Sequence, residues 1–152
     1  MEVISSNSTY ASGTKRLLAV IIDEFLLHAI FSFIFFRWYG SHFDWDVDNM
    51  NFGPVHLGLQ FLGYNIIKEA VTVLYYSYME SSKYQGTLGK VALGIKVVDA
   101  RGNGINFSRA LLRNLSKYLS ALILYIGYIM IIFDNRKQGL HDKIADTFVV
   151  NQ

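Results

Sequence analysis

Two carboxylates and an imidazole interrupt a run of the chain that is otherwise apolar. The run, "KRLLAVIIDEFLLHAIFSFIFFRW", covers residues 15–38 and contains Asp23, Glu24 and His28. Ionisable side chains inside a membrane-spanning helix are costly, and they usually have a partner or face water. Two interpretations follow. The three side chains belong to an ion path, a proton path or a polar ligand site, or they neutralise other charges and fix the register of packed helices.

A second apolar run, residues 57–79, carries a polar stripe of its own. Asn65, Glu69, Thr72 and Tyr76 are spaced four, three and four residues apart. This spacing keeps side chains on one face of a helix. The second run therefore offers polar groups that the charges of the first run can meet.

The ionisable residues of the two runs are expected at similar depths. If the two helices pack antiparallel, the helical rise places Lys68 and Glu69 near the level of His28. Acids then outnumber bases in this layer, because Arg16 lies at its edge and a histidine side chain is not permanently charged. We expect Asp23 and Glu69 to be the ion-handling carboxylates, with Asp23 the principal one and Glu69, Lys68 and Arg16 setting its charge state.

A histidine and an aspartate are adjacent near the end of the chain, in "GLHDKIADT", residues 139–147. His141 beside Asp142 could act as a proton acceptor, but no third ligand or nucleophile accompanies the two residues. The favoured interpretation is a helix start in which Asp142 caps the helix or binds a basic side chain. We expect Arg16 to make a charge-assisted contact with Asp142 or Asp23.

The composition is that of a membrane protein. The 152 residues are 52% hydrophobic and 15% aromatic, and their mean hydropathy is positive. A membrane-spanning helix needs about 20 predominantly apolar residues, and residues 17–36, 57–79 and 110–133 supply that length. A soluble helical bundle is the alternative, but three such segments leave too little polar sequence to cover them. The expected domain covers residues 11–150, after a short polar tail of residues 1–10.

Two features of the sequence bear on processing and cross-linking. The chain contains no cysteine, so disulfides and thiolate metal sites are excluded. A polar lead of 16 residues precedes the first apolar run, and no small-residue cleavage pattern follows that run. We therefore expect no signal peptide.

The distribution of basic residues predicts the orientation in the membrane. Residues 37–56 contain one basic residue, Arg37, and an acidic series of Asp44, Asp46 and Asp48, whereas residues 80–109 contain five basic residues. Short cytoplasmic loops collect Lys and Arg. We therefore expect both termini and the second loop in the cytoplasm and the acidic loop outside.

The third apolar segment is basic at both ends, so its path through the membrane has two interpretations. Residues 110–133 would form a helix of about 36 Å at 1.5 Å per residue, which is enough for one crossing and too short for two. A re-entrant helical hairpin that bends near residues 125–128, at Gly127, would keep both basic ends cytoplasmic. One full crossing is the alternative.

A short alternating segment in the second loop predicts local β structure. Ile95, Val97 and Val98 suit a strand, residues 99–104 are rich in turn formers, and the alternation resumes after them. We expect a small cytoplasmic β-hairpin. Its two glycines could instead belong to a phosphate-binding loop, but their spacing fits no nucleotide fingerprint.

Several of these residues together resemble the RDD family of membrane proteins, over residues 11–150. The resemblance is carried by Arg16, Ala19, Asp23, "TLGK" at 87–90, "VVDARG" at 97–102, "ALLRN" at 110–114 and "LHDKIADT" at 140–147. The family is named for one arginine and two aspartates, which match Arg16, Asp23 and Asp142. Asp146 departs from the pattern, because the family usually has glycine before the threonine.

The resemblance implies transport of an unidentified ligand, cation/proton exchange in some members, and association with other membrane proteins. It implies a location in the bacterial inner membrane. The expected fold is all-α, with two transmembrane helices, a third apolar segment and the small β-hairpin. The residues expected to bind an ion or ligand or to form the charged layer are Arg16, Asp23, Glu24, His28, Lys68, Glu69 and Asp142.

Two functional hypotheses remain open. The first is a transport protein for an ion or small solute, expected to be a homo-oligomer because two or three helices can hardly enclose a path alone. The second is a non-transporting structural or regulatory subunit of a membrane complex, whose basic second loop binds a partner or anionic lipid. An enzyme is not expected, since no nucleophile, metal cluster or phosphate loop is evident. No cofactor and no nucleic-acid partner is expected.

Overall fold

The computed structural model describes residues 9–42, 54–122 and 126–152, with side chains over residues 9–37, 62–120 and 130–152. The acidic series at Asp44, Asp46 and Asp48 lies outside the described residues. The elements are α1 (Gly13–His42), α2 (Pro54–Ser81), α3 (Leu88–Ala92), β1 (Ile95–Asp99), α4 (Phe107–Leu122), α5 (Ile126–Phe133), α6 (Leu140–Ile144) and β2 (Thr147–Asn151).

Helix α1 exposes many of its apolar side chains and buries two of its charged ones. Leu17 and Phe25 are 60% and 74% exposed, whereas Arg16 and Asp23 are buried. Within the described residues, α1 is the one helix long and apolar enough to cross a membrane, over Gly13–Arg37. This arrangement suits a helix whose outer surface contacts lipid, and it agrees with the first predicted span.

Helix α2 covers the second predicted span in one continuous helix. It extends over Pro54–Ser81 and so includes the whole of the expected residues 57–79. Its passage through the membrane and the cytoplasmic placement of the second loop stay predictions.

The chain divides into two compact units. The first, unit 1, comprises Met1–Asp23 and Val73–Gln152, and the second, unit 2, comprises Glu24–Thr72. Unit 1 therefore contains the start of α1, the end of α2 and all of the later elements. Unit 2 contains the rest of these two long helices.

A two-stranded antiparallel sheet lies in unit 1. Strand β1 pairs with β2, with Val97 opposite Val149, and Tyr10 forms an isolated bridge to Val150 on the other side of β2. Buried apolar side chains surround the sheet on two sides; they are Ala11, Ala19, Ile95, Val97, Ile105, Ala110 and Val149 in one cluster and Val98, Phe148 and Val150 in another.

The expected β-hairpin is wrong in its second strand. The turn after β1 forms as expected, because the Asp99 carboxylate accepts hydrogen bonds from the backbone N–H groups of Arg101 and Asn103, each at 2.8 Å. The chain then enters α4 instead of a strand, since the Asn106 side chain accepts a hydrogen bond from the N–H of Arg109 at 2.9 Å and caps the helix. The partner of β1 is β2, almost 50 residues away.

The third apolar segment forms two helices that pack against each other. Helix α4 ends at Leu122 and α5 begins at Ile126, and residues 123–125 lie outside the described residues. Gly127, the residue expected at the bend, lies inside α5. Whether the pair enters the membrane stays a prediction.

Helix α4 is amphipathic with its polar face turned inward. Arg113, Asn114 and Ser120 are buried, whereas Leu115 and Leu119 are exposed. A soluble helix normally has the opposite arrangement. The inverted pattern suits a helix whose outer face contacts lipid and whose inner face packs against polar groups.

Candidate functional site

Asp142 is the point at which charged groups from three helices meet. Its Oδ2 accepts a hydrogen bond from Arg16 Nη1 at 2.7 Å, and its Oδ1 accepts one from Arg113 Nε at 2.8 Å. The backbone N–H of Gly139 donates to Oδ2 at 3.0 Å, so Asp142 also caps α6. The expected contact of Arg16 with Asp142 and the expected capping role are both confirmed.

Glu80, at the end of α2, extends this set of contacts. Arg113 Nη1 donates to Glu80 Oε1 at 2.6 Å, and Asn114 Nδ2 donates to Oε2 at 3.1 Å. Lys90 Nζ also forms an ion pair with Glu80 Oε1. Arg113 therefore bridges two buried carboxylates. We call Arg16, Glu80, Lys90, Arg113 and Asp142 the buried charge network.

The charges of the network stabilise one another. Burial alone raises the pKa of Asp142, but the nearby positive charges of Arg113 and Arg16 outweigh burial and hold that pKa below its usual range. Burial lowers the pKa of the neighbouring His141 to about 3, and the positive charges of Arg113 and Arg16 act in the same direction. His141 is therefore a neutral imidazole at neutral pH.

Asp23 is held by groups that belong to unit 1. The side chain is fully buried. Oδ2 accepts a hydrogen bond from the Thr87 hydroxyl, while Oδ1 accepts bonds from the Gly89 N–H at 2.8 Å and from the Tyr75 hydroxyl at 3.4 Å. Both oxygens of this carboxylate therefore have protein donors, and Asp23 fastens the start of α3 to α1.

Gly89 allows the close approach that this contact requires. A Cβ atom at position 89 would overlap the backbone carbonyl oxygen of Ala19 and would lie 3.0 Å from the carboxyl carbon of Asp23. Ala19 itself is fully buried. Small residues on both sides thus let α3 pack directly on the backbone of α1.

Unit 2 brings together four of the ionisable residues expected in the charged layer. Lys68 Nζ lies 3.2 Å from His28 Nε2 and 3.9 Å from Glu69 Oε1, and His28 Nε2 lies 4.0 Å from Glu24 Oε2. Lys68 and His28 therefore lie at the same level of the two helices, as expected. We call Glu24, His28, Lys68 and Glu69 the mid-span cluster.

The mid-span cluster differs from the buried charge network in exposure, because three of its four side chains are substantially exposed. The side chains of Glu24, His28 and Glu69 are 41%, 59% and 51% exposed, and that of Lys68 is 11% exposed. The two nitrogens of Lys68 and His28 form one hydrogen bond, in which one donates and the other accepts.

Three members of the buried charge network were missed by the sequence reasoning. Glu80, Lys90 and Arg113 each lie near the end of an apolar run or within a short motif, and Lys90 and Arg113 belong to the segments "TLGK" and "ALLRN". A charged residue in such a position signals a buried partner. The identity of the partner is set by tertiary contacts, which local sequence does not reveal.

A metal centre has no support in the described part of the chain. Among the described residues, no group of three or more histidine, cysteine, aspartate or glutamate side chains lies close enough to hold a metal ion. Asp142 is engaged with Arg16 and Arg113 instead. The capping interpretation of this motif therefore fits the geometry.

Comparison with known proteins gives one family match. The family model described as "RDD family" matches residues 10–146, which is most of the chain. No solved structure gives a significant match.

Three relatives are similar over part of their length. The uncharacterized protein YxaI of Bacillus subtilis is 44% identical over 95 residues, which are 62% of this chain and 62% of YxaI. The uncharacterized membrane protein YteJ of the same bacterium is 33% identical over 94 residues, 60% of this chain and 56% of YteJ. The proline-rich antigen of Mycobacterium leprae is 30% identical over 83 residues, 54% of this chain and 33% of the antigen. The matches thus span less than two thirds of each relative.

Proposed function

The chain belongs to the RDD family and is a membrane protein, and from that premise we propose that it transports an ion or a small solute through the mid-span cluster. Cation/proton exchange is the form of transport that this cluster suits best. The cytoplasmic membrane, with both termini in the cytoplasm, is the location that the distribution of basic residues favours.

The observation that carries the proposal is the open Lys68–His28 pair with a carboxylate on each side. Lys68 Nζ and His28 Nε2 are 3.2 Å apart, so the two bases compete for protons. Glu24 and Glu69 lie at 4.0 and 3.9 Å from His28 and Lys68, and they could bind a cation when the bases release a proton. A site of this kind exchanges a proton for a cation with little rearrangement.

The buried charge network suits a structural role better than transport. Asp142 and Glu80 each accept hydrogen bonds from several buried donors, and Asp23 has protein donors on both oxygens. Displacing these donors would leave buried charges unpaired, which costs several kcal/mol per ion. The ion-handling role expected for Asp23 stays a prediction, and its geometry favours fastening α3 to α1.

A second candidate function is supported by the same network. A non-transporting subunit of a membrane complex needs a rigid cytoplasmic portion, and the pairing of Arg16, Arg113 and Lys90 with two carboxylates would supply one. Exposed basic residues such as Lys83 and Arg101 would then bind a partner or anionic lipid.

Ion flux in liposomes that contain only this purified protein tests the proposal. Sodium, potassium and proton gradients are imposed in turn, and wild type is compared with Glu69→Gln and Lys68→Met. Lys83→Gln, which removes an exposed charge beyond the end of α2, is the matched control. We expect flux for at least one gradient, a loss of about tenfold or more in the two cluster variants, and normal flux in the control. No flux with wild type across all three gradients would favour the subunit.

A further inference from the structure

Two residues of the mid-span cluster, Glu24 and His28, lie in the middle of α1, the candidate membrane-spanning helix. The span covers Gly13–Arg37, 25 residues, or about 38 Å at 1.5 Å per residue. Glu24 and His28 lie about 17 and 23 Å from its start by the same rise. Both are therefore near the centre of the hydrocarbon layer, where ionisable side chains are most costly.

A single copy of the chain leaves this part of α1 open to its surroundings. Glu24 and His28 have side chains that are 41% and 59% exposed, and Glu69 on α2 is 51% exposed. The neighbouring side chains of Ile21 and Phe25 are exposed as well. Ionisable groups at this depth almost always face protein or water rather than lipid. A second protein surface over the cluster would supply the cover that a single copy lacks.

We infer that the mid-span cluster is the interface at which a second copy of this chain packs, through the face of α1 that carries Glu24 and His28. This inference requires α1 to cross the membrane, but it does not require transport. It goes beyond the proposed function by naming the partner and the surface.

The charges of the cluster favour a second copy over a partner of different composition. Two carboxylates face one ammonium group and one imidazole, so the cluster is neutral when His28 is protonated and carries one negative charge when it is not. In a two-fold interface each contact of residue i with residue j occurs twice. The carboxylates of one copy can thus meet Lys68 and His28 of the other. A strongly charged partner helix would leave part of the cluster unpaired.

Cross-linking in liposomes tests this interface, and the absence of native cysteine makes single introduced cysteines specific. Ser32 lies four residues after His28 and therefore on the same face of α1, whereas Ile30 lies two residues after it and points to the opposite face. Both are exposed. With a short bismaleimide reagent, we expect a covalent dimer from Ser32→Cys and at least tenfold less from the matched control Ile30→Cys.

A charge-reversal pair tests whether the cluster itself holds the two copies together. Lys68→Glu gives three acids in the cluster, and Glu69→Lys gives an excess of bases. Each variant alone, combined with Ser32→Cys, should cross-link about tenfold less than the parent, and co-reconstitution of the two should restore the dimer. Monodisperse elution of each variant from gel filtration shows that it has folded. Should either variant misfold, the Ser32 and Ile30 comparison still decides the matter.

The inference is overturned by a monomeric wild type in liposomes, by equal cross-linking from Ile30→Cys, or by dimers that Lys68→Glu leaves unchanged. Flux without a dimer would overturn this inference and leave the proposed function standing. A dimer without flux would overturn the proposed function and leave this inference standing.

Discussion

Arg16, Arg113 and Gly139 all donate to the same carboxylate, that of Asp142. Because the donors come from α1, α4 and the residue before α6, this one side chain connects elements that are distant in the sequence. Removing one partner of a buried ion pair leaves the other charge buried and uncompensated. The free energy lost is therefore larger than the net stabilisation that the intact pair provides.

Arg16→Ala should therefore destabilise the protein strongly. The expected loss is about 3–5 kcal/mol of unfolding free energy, the range for breaking a buried pair, and it would appear as a low yield of folded protein and a lower thermal midpoint in detergent. Lys15→Ala is the matched control, because Lys15 is exposed and bonds only at the surface, to Asn151 at 2.9 Å. If Arg16→Ala is as stable as this control but loses activity, Arg16 is functional rather than structural.

His141 should make the stability depend on pH. In the unfolded chain a histidine binds a proton near pH 6.5, whereas burial lowers the pKa of His141 in the folded protein to about 3. The unfolded state therefore binds more protons between these two pH values, and the free energy of unfolding falls as the pH falls through that window. The depressed pKa of Asp142 adds a further loss below about pH 4, its usual range.

Denaturation of wild type and His141→Gln at several pH values checks this dependence. Between pH 6.5 and 5, wild type should lose up to about 1.4 kcal/mol per pH unit from this one group, and the variant should show a flatter slope. Equal slopes for the two proteins would mean that His141 does not exclude a proton in the folded state.

At the scale of elements, the sequence predicts what depends on neighbours along the chain. A helix over the first apolar run, the turn after Asp99 and the cap at Asp142 follow from local spacing, and they are confirmed. The pairing of β1 with β2 does not follow, because both strands are short and separated by almost 50 residues. Partners of this kind are selected by packing over the whole unit, since strand propensity depends strongly on context.

The contacts between Glu80, Lys90 and Arg113 could not be predicted for a similar reason. The three residues come from α2, α3 and α4, and each looks like an isolated charge at the edge of an apolar segment. Physical reasoning indicates that each requires a partner. Only the folded arrangement decides which partner each one has.

The close packing of α3 on α1 leads to a prediction for Gly89. Gly89→Ala should destabilise the protein by several kcal/mol or prevent folding, because the new Cβ would overlap the backbone of Ala19 and disturb the hydrogen bonds of Asp23. Gly63→Ala is the matched control, since a Cβ atom there meets nothing within 4 Å and alanine favours a helix by about 1 kcal/mol. Thermal unfolding in detergent measures both. A Gly89→Ala protein as stable as wild type would contradict the close packing.

At the scale of the whole molecule, two features suit a protein in a membrane: the long runs of exposed apolar side chains and the buried charges. The orientation in that membrane rests on the basic residues alone. Cysteine at Ser41 should react with an impermeant maleimide in intact cells, whereas cysteine at Gln152 should react only after permeabilisation. If Gln152→Cys reacts from outside, the cytoplasmic placement of the C-terminus and the re-entrant path of α4 and α5 are both wrong.

Charged residues are used in two different ways in this protein: a closed network holds unit 1 together, and an open cluster is proposed to handle ions. The most direct test compares Asp23→Asn with Glu69→Gln in reconstituted vesicles, with flux expressed per folded protein under sodium, potassium and proton gradients. We predict that Asp23→Asn lowers the yield and thermal stability but retains flux in the folded fraction, whereas Glu69→Gln folds normally and loses about tenfold or more of its flux. Loss of flux in Asp23→Asn with retention in Glu69→Gln would contradict the claim.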